Sequence, residues 1–156
     1  SIQSEELLKG TINDIANILK VIKITPKKIV IYVNSDSMKS KVYRKILGIM
    51  VGGQNNMGVV MKELIADPET TEAKKMPDYI QKVIKDLHSE SEEIKTMKLE
   101  SDSFDEKEFL SKELLSIGKK EFGVEVSVYS ESDDNIYDPK GKARHARPFK
   151  PAILIE

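Results

Sequence analysis

The chain has 156 residues, the size of one ordinary domain, and its hydrophobic share of 39% suffices for one packed core. Charged residues make up 33%, yet the signs cancel to a formal net charge of -1, so the molecule as a whole lacks the basic surplus of a nucleic-acid binder. Cysteine is absent, which excludes disulfides and thiolate chemistry and suits a reducing cytoplasm, and no apolar run or basic leader argues for a membrane or for export.

Ser1 stands where an initiator methionine would, and a helical pattern begins at once, as in a fragment or a processed chain. Leu8, Ile12, Ile15, Leu19 and Ile22 form one apolar seam at helical spacing, widened by Leu7, Thr11 and Ile18. That seam must be buried against the rest of the chain, another copy or a preceding domain. Thr25-Pro26 ends the helix, because proline disfavours helical geometry in the residue before it.

Lys28 to Val33 (KIVIYV) is a β-branched, nearly continuous apolar run and predicts a strand buried on both faces. Asn34 to Ser37 offers capping chemistry for a helix carrying Met38, Val42, Ile46 and Ile49. The Gly52-Gly53-Gln54-Asn55-Asn56 stretch breaks it, and a second helix follows with Met57, Val60, Met61, Leu64 and Ile65. Asp67-Pro68 stops that one, and a third helix starts near Pro77 with Ile80, Val83, Ile84 and Leu87. The acidic stretch from His88 to Glu108 has room for a short edge strand over Ile94–Leu99. Ser103 and Glu106 have capping-box spacing for a further helix carrying Phe109, Leu110, Leu114 and Ile117. Gly123 sits where a left-handed cap belongs, Val124, Val126 and Val128 alternate as a half-buried strand, and Ala152–Ile155 reads as a last strand. The fold class is therefore α+β, a small mixed sheet of about three strands against about four helices, preceded by one long amphipathic helix.

The chemistry-bearing feature is the Ser130–Phe149 loop. Its first half is acidic (Glu131, Asp133, Asp134, Asp138) and its second half basic (Lys140, Lys142, Arg144, Arg147, Lys150), with His145 and the aromatics Tyr137 and Phe149 among them. A loop of ~20 residues in a compact domain is functional or disordered, and clustered cations beside flat rings suit a phosphate backbone. The plain alternative is a solvated run whose two halves pair. Further lysines (Lys20, Lys23, Lys27, Lys28) lie between the first helix and first strand, and Lys39, Lys41, Arg44 and Lys45 decorate the next helix. Both sets read first as ordinary polar faces. Gly52 to Gly58 lacks dinucleotide and P-loop spacing and reads as a helix connection with Asn55 or Asn56 as cap. His88 and His145 are too far apart in sequence for a zinc pattern, and no nucleophile is coupled to a base, so neither a metal site nor a catalytic residue is expected here.

Four stretches in order carry a resemblance: Pro26-Lys-Lys-Ile-Val-Ile-Tyr-Val33, Met57-Gly-Val-Val-Met-Lys-Glu-Leu-Ile-Ala-Asp-Pro68, Phe122-Gly-Val-Glu-Val-Ser-Val-Tyr129, and Tyr137-Asp-Pro-Lys-Gly-Lys-Ala-Arg144 with the ending Pro151-Ala-Ile-Leu-Ile-Glu156. Together they resemble the C-terminal region of archaeal and eukaryotic-type leucyl-tRNA synthetases. The resemblance implies that residues 1–25 are the last helix of an anticodon-binding-type bundle and residues 26–156 a C-terminal tRNA-binding domain. It implies a parent that is a class I ligase of the cytoplasm, using leucine, ATP and magnesium, with its catalytic and anticodon-binding domains upstream and no cofactor in this piece. The partner it implies is leucine tRNA, held at the elbow and long variable arm. Carried onto this sequence, Lys140, Lys142, Arg144, Arg147 and Lys150 become backbone contacts, while Ile155 and Glu156 approach variable-arm bases. For Glu156 the plain alternative is the frayed end of an edge strand. The competing reading of the whole chain is a non-catalytic interaction domain that docks through the Leu8–Ile22 seam.

Overall fold

A computed structural model of the chain describes residues 1–102 and 104–156. The elements run α1 (Ile2–Val21), β1 (Ile29–Val33), α2 (Ser37–Val51), α3 (Met57–Ala66), α4 (Pro77–His88), α5 (Glu92–Glu100), α6 (Glu106–Ile117), β2 (Val126–Ser130) and β3 (Ala152–Ile155). They divide into two compact units. One combines Ser1–Ser35 with Phe104–Glu156, and the other is the contiguous segment Asp36–Ser103.

The first unit holds the sheet. Among the described residues it has three strands in the order β2-β1-β3, with β1 parallel to β2 and antiparallel to β3. Every residue of β1 is buried, as its unbroken apolar run requires. Alternation then sorts the side chains. Ile29, Ile31 and Val33 face a core built from Leu7 and Ile15 of α1, Leu110 and Leu114 of α6, and Ile153 of β3. Val30 and Tyr32 face the opposite way, onto Ala143, Ala146 and Leu154. Helices cover one face, and the segment between β2 and β3 covers the other.

The seam of α1 is packed inside this unit, although its axis is rotated from the expected one. Leu7, Thr11 and Ile15 are buried, with Leu8, Ile12, Ile18 and Leu19 beside them. Thr11 is accommodated because its hydroxyl donates to the Leu7 carbonyl at 2.7 Å. The helix ends at Val21, ahead of Thr25-Pro26, where Ile22 turns extended (ψ 136°).

The second unit packs α2 to α5 with Val42, Ile46, Leu47, Val60, Leu64, Ile80, Val83 and Leu87 buried. Asn56 caps α3 through the N–H groups of Gly58 and Val59, and Pro77 opens α4. The expected edge strand over Ile94–Leu99 is instead helix α5, capped by Ser91. The cap of α6 is Asp105, whose carboxylate accepts from Glu108 N–H at 3.0 Å, and Ser103 lies outside the described residues. Gly123 closes the turn after α6 with φ 69°, in the left-handed region a glycine adopts freely.

Candidate nucleic-acid interface

The Ser130–Phe149 segment starts at the end of β2 and returns to β3 on the other side of β1, so it has to cross the sheet. Three anchors fix its course. At the start, Ser130 N–H donates to Asp133 Oδ2 at 2.9 Å, and Lys107 Nζ meets the same oxygen at 2.7 Å. These two donors hold the Asp133 carboxyl below its usual pKa, the lysine bond first and the backbone bond second. Glu131 accepts from Ser35 N–H at 3.1 Å, and Ser132 and Ser35 bond through their hydroxyls at 2.8 Å.

In the middle, Ile136 and Tyr137 lie on the Val30/Tyr32 face, and the Tyr32 hydroxyl donates to the Tyr137 carbonyl. Burial, then the nearby Asp138 carboxylate, push the Tyr32 phenol up to about 12. Asp138 accepts from the N–H groups of Lys142 (2.7 Å) and Ala143 (3.2 Å), which caps a short 3-10 turn over Ala143–His145. Ala143 and Ala146 are small enough to lie flat against the sheet. The acidic half of the segment is thus largely consumed by its own anchoring.

The third anchor is a two-residue reversal in which Arg147 and Lys150 exchange backbone bonds at 3.0 and 2.9 Å. Phe149 sits at φ 62°, costly for a residue with a Cβ. Its N–H donates to Glu106 Oε2 at 3.1 Å, and its ring meets Phe104 edge-on at 5.8 Å. Those contacts hold it there. The ring packs against the helical-face core, so it is not the open stacking surface the sequence invited.

The candidate cations are therefore displayed from a fixed frame. Lys140, Arg144 and His145 are exposed. Lys142 is half-buried, with Nζ donating to the Ile153 carbonyl at 3.0 Å. Lys150 pairs with Asp14 at 3.0 Å while remaining partly exposed, and Arg147 reaches the His145 carbonyl at 3.4 Å. Ile155 and Glu156 lie at the other end of β3. Glu156 is anchored in the ladder: its backbone oxygen accepts from Lys27 and Lys28 N–H at 2.6 and 3.0 Å, and its own N–H donates to Lys28 at 2.9 Å. Its carboxylate accepts from Tyr137 Oη at 2.8 and 2.9 Å.

The basic set on α2 is mostly committed within its own unit. Arg44 donates to the Leu99 and Ser101 carbonyls at 2.9 and 3.3 Å, Lys45 pairs with Asp67 at 3.3 Å, and Lys39 lies 5.8 Å from the Tyr79 ring centre. Lys41 is exposed. Sequence reasoning put Lys28 in a polar cluster and missed its contact with Tyr137, whose ring centre lies 3.6 Å from Lys28 Nζ. Nothing local signalled that pair, since the two residues meet only once the segment crosses the sheet. Among the described residues, no group of three or more His, Cys, Asp or Glu could hold a metal ion.

No family model matches the chain. Curated relatives do. The chain is 40% identical to the leucine–tRNA ligase of Methanococcoides burtonii over 98% of its own length and 16% of the relative. It is 36% identical to that of Methanothrix thermoacetophila over 99% and 15%. With the leucine–tRNA ligase of Pyrococcus abyssi it is 33% identical over 97% and 14%. The chain thus spans no more than 16% of the length of these relatives, matching one segment of each.

Proposed function

We propose that this chain, matched along nearly all its length by a segment of archaeal leucine–tRNA ligases, is the C-terminal tRNA-binding part of such a ligase. It grips leucine tRNA at the elbow and long variable arm and positions it for aminoacylation carried out elsewhere in the parent chain. Residues 1–25 then supply the last helix of the anticodon-binding-type bundle, and residues 26–156 the gripping module. Leucine, ATP and magnesium belong to the parent's reaction in the cytoplasm.

One observation carries the reading: Lys140 and Arg144 are exposed on a segment whose backbone is fixed by the sheet beneath it. A net charge of -1 gives the molecule no general attraction for RNA, so binding has to come from local placement. Cations on a fixed frame meet phosphates with little ordering cost, and each neutralised phosphate releases counterions. Such contacts orient the RNA, while selection comes from base edges and shape, where Ile155 and Glu156 would act. The interaction-domain reading needs the Leu8–Ile22 seam, and most of that seam is packed against β1 and α6.

The test is the salt dependence of leucine tRNA binding. Lys142→Ala and Arg144→Ala should each lower the slope of log affinity against log salt by about one. Unchanged slopes and affinities in both variants reject the assignment.

A further inference from the structure

We propose that Tyr137 is a positioning residue: its hydroxyl, backed by Lys28, fixes Glu156 and the adjoining open edge of β3 in the form that meets RNA. This rests on the tRNA-binding reading and adds residues to it.

Three residues far apart in sequence close a ring. Lys28, just ahead of β1, exchanges both backbone bonds with Glu156, at 3.0 and 2.9 Å. Its ammonium lies 3.6 Å from the centre of the Tyr137 ring. The ring's hydroxyl in turn lies 2.9 and 2.8 Å from the two carboxylate oxygens of Glu156. A donor so nearly equidistant from both oxygens shares its hydrogen between them. The bond also raises the Tyr137 phenol's pKa, Glu156 being the first cause.

The register says what this ring supports. Lys28 and Glu156 form a hydrogen-bonded pair, so by alternation Val30 and Leu154 form the next. Ile153 and Ile155 fall between these pairs and turn their N–H and C=O groups away from β1. Lys142 Nζ takes the Ile153 carbonyl, whereas the backbone groups of Ile155 face the outer edge of β3, on which no further strand pairs among the described residues, beside the Tyr137–Glu156 bond. Strand ends fray unless tied down, and here the side-chain bond adds to the backbone bonds that Glu156 makes with Lys27 and Lys28. A carboxylate near phosphates also repels them, and the phenol and the Lys28 ammonium offset that charge where RNA would approach.

The experiment measures aminoacylation by the full-length ligase chain carrying this segment. Tyr137→Phe keeps the ring and its lysine contact and removes only the hydroxyl. It should raise KM for leucine tRNA about tenfold with kcat within about twofold, the loss expected for one hydrogen bond to a charged group. Amide exchange at Ile155 and Glu156 should speed up while β1 amides stay protected. In a Glu156→Ala background, Tyr137→Phe should cause no further loss, because the hydroxyl acts through that side chain. An unchanged KM in Tyr137→Phe, or additive effects in the double variant, overturns the proposal. If Arg144→Ala lowers the salt slope while Tyr137→Phe leaves KM unchanged, the RNA reading stands and the positioning role falls. If neither variant has an effect, both fall.

Discussion

Tyr32 shows how a single side chain ties β1 to the segment that crosses it. It is fully buried in the strand, yet its hydroxyl emerges on the face crossed by the Ser130–Phe149 segment and donates to the Tyr137 carbonyl. Its pKa of about 12 in the folded chain lies above the ordinary 10.0, so between these values the folded state holds a proton that the unfolded state has lost. The resulting stabilisation is complete below pH 10 and disappears as pH rises through about 12. Tyr32→Phe removes the hydroxyl and leaves the Tyr137 carbonyl without this donor, a cost of about 1–2 kcal/mol. Urea midpoints should therefore differ most between wild type and variant at pH 8–9 and converge as the phenol ionises. A gap that stays constant from pH 8 up through about pH 12 would show that the hydroxyl is not the titrating link.

Elements meet at distances that small residues decide, and Gly118 at the end of α6 is the sharpest case. A Cβ at this position would lie 2.5 Å from Val126 Cγ2 and 3.3 Å from Val126 Cβ, so α6 and β2 approach as closely as they do because the side chain is missing. Gly118→Ala gains up to about 1 kcal/mol in helical propensity but overpacks the contact by about 1–3 kcal/mol, for a net loss. Chemical denaturation should show the variant less stable, and Gly118→Ala in a Val126→Ala background should lose less than it does alone. Equal losses in both backgrounds would refute the clash. The pairing elements themselves were legible: the KIVIYV run, the Val126/Val128 alternation, the Pro77 start and the left-handed Gly123 all carry local signals that the fold obeys. The misread element is α5. Its buried faces hold Lys95 and Lys98, whose ammonium groups pair with Glu92 at 2.6 Å and with Glu90, so charge stands where a periodicity reading looks for apolar residues. The crossing segment was legible as functional chemistry and opaque as structure. It covers the sheet through Ala143, Ala146 and Tyr137, a set with neither helical nor strand period. For the same reason Phe149 read as an exposed ring, although a turn with positive φ folds it into the core.

At the scale of the whole molecule, the chain leaves its sheet-bearing unit after Ser35 and rejoins it at Phe104. The intervening segment is contiguous and closes its own core. Val42 and Ile46 of α2, Val60 and Leu64 of α3, and Ile80, Val83 and Leu87 of α4 are buried. Within it, Arg44 bonds the carbonyls at the end of α5, and the Tyr79 hydroxyl donates to the Lys39 carbonyl at 2.7 Å. Asp36, Asn56 and Ser91 cap α2, α3 and α5, and a segment with its own caps and its own buried cluster has what it needs to fold when excised. A domain of about 60 residues buries only about 60% of its unfolded surface, so its stability should be a few kcal/mol. Expressed alone, residues 36–103 should give a helical circular-dichroism spectrum and one cooperative urea transition. The same piece should bind leucine tRNA without the salt slope that Lys142 and Arg144 contribute, since both lie in the other unit. A non-cooperative melt would mean that this core depends on the sheet-bearing unit. A folded piece that kept the full salt slope would move the RNA-gripping charge onto α2–α5 and away from the segment that crosses the sheet.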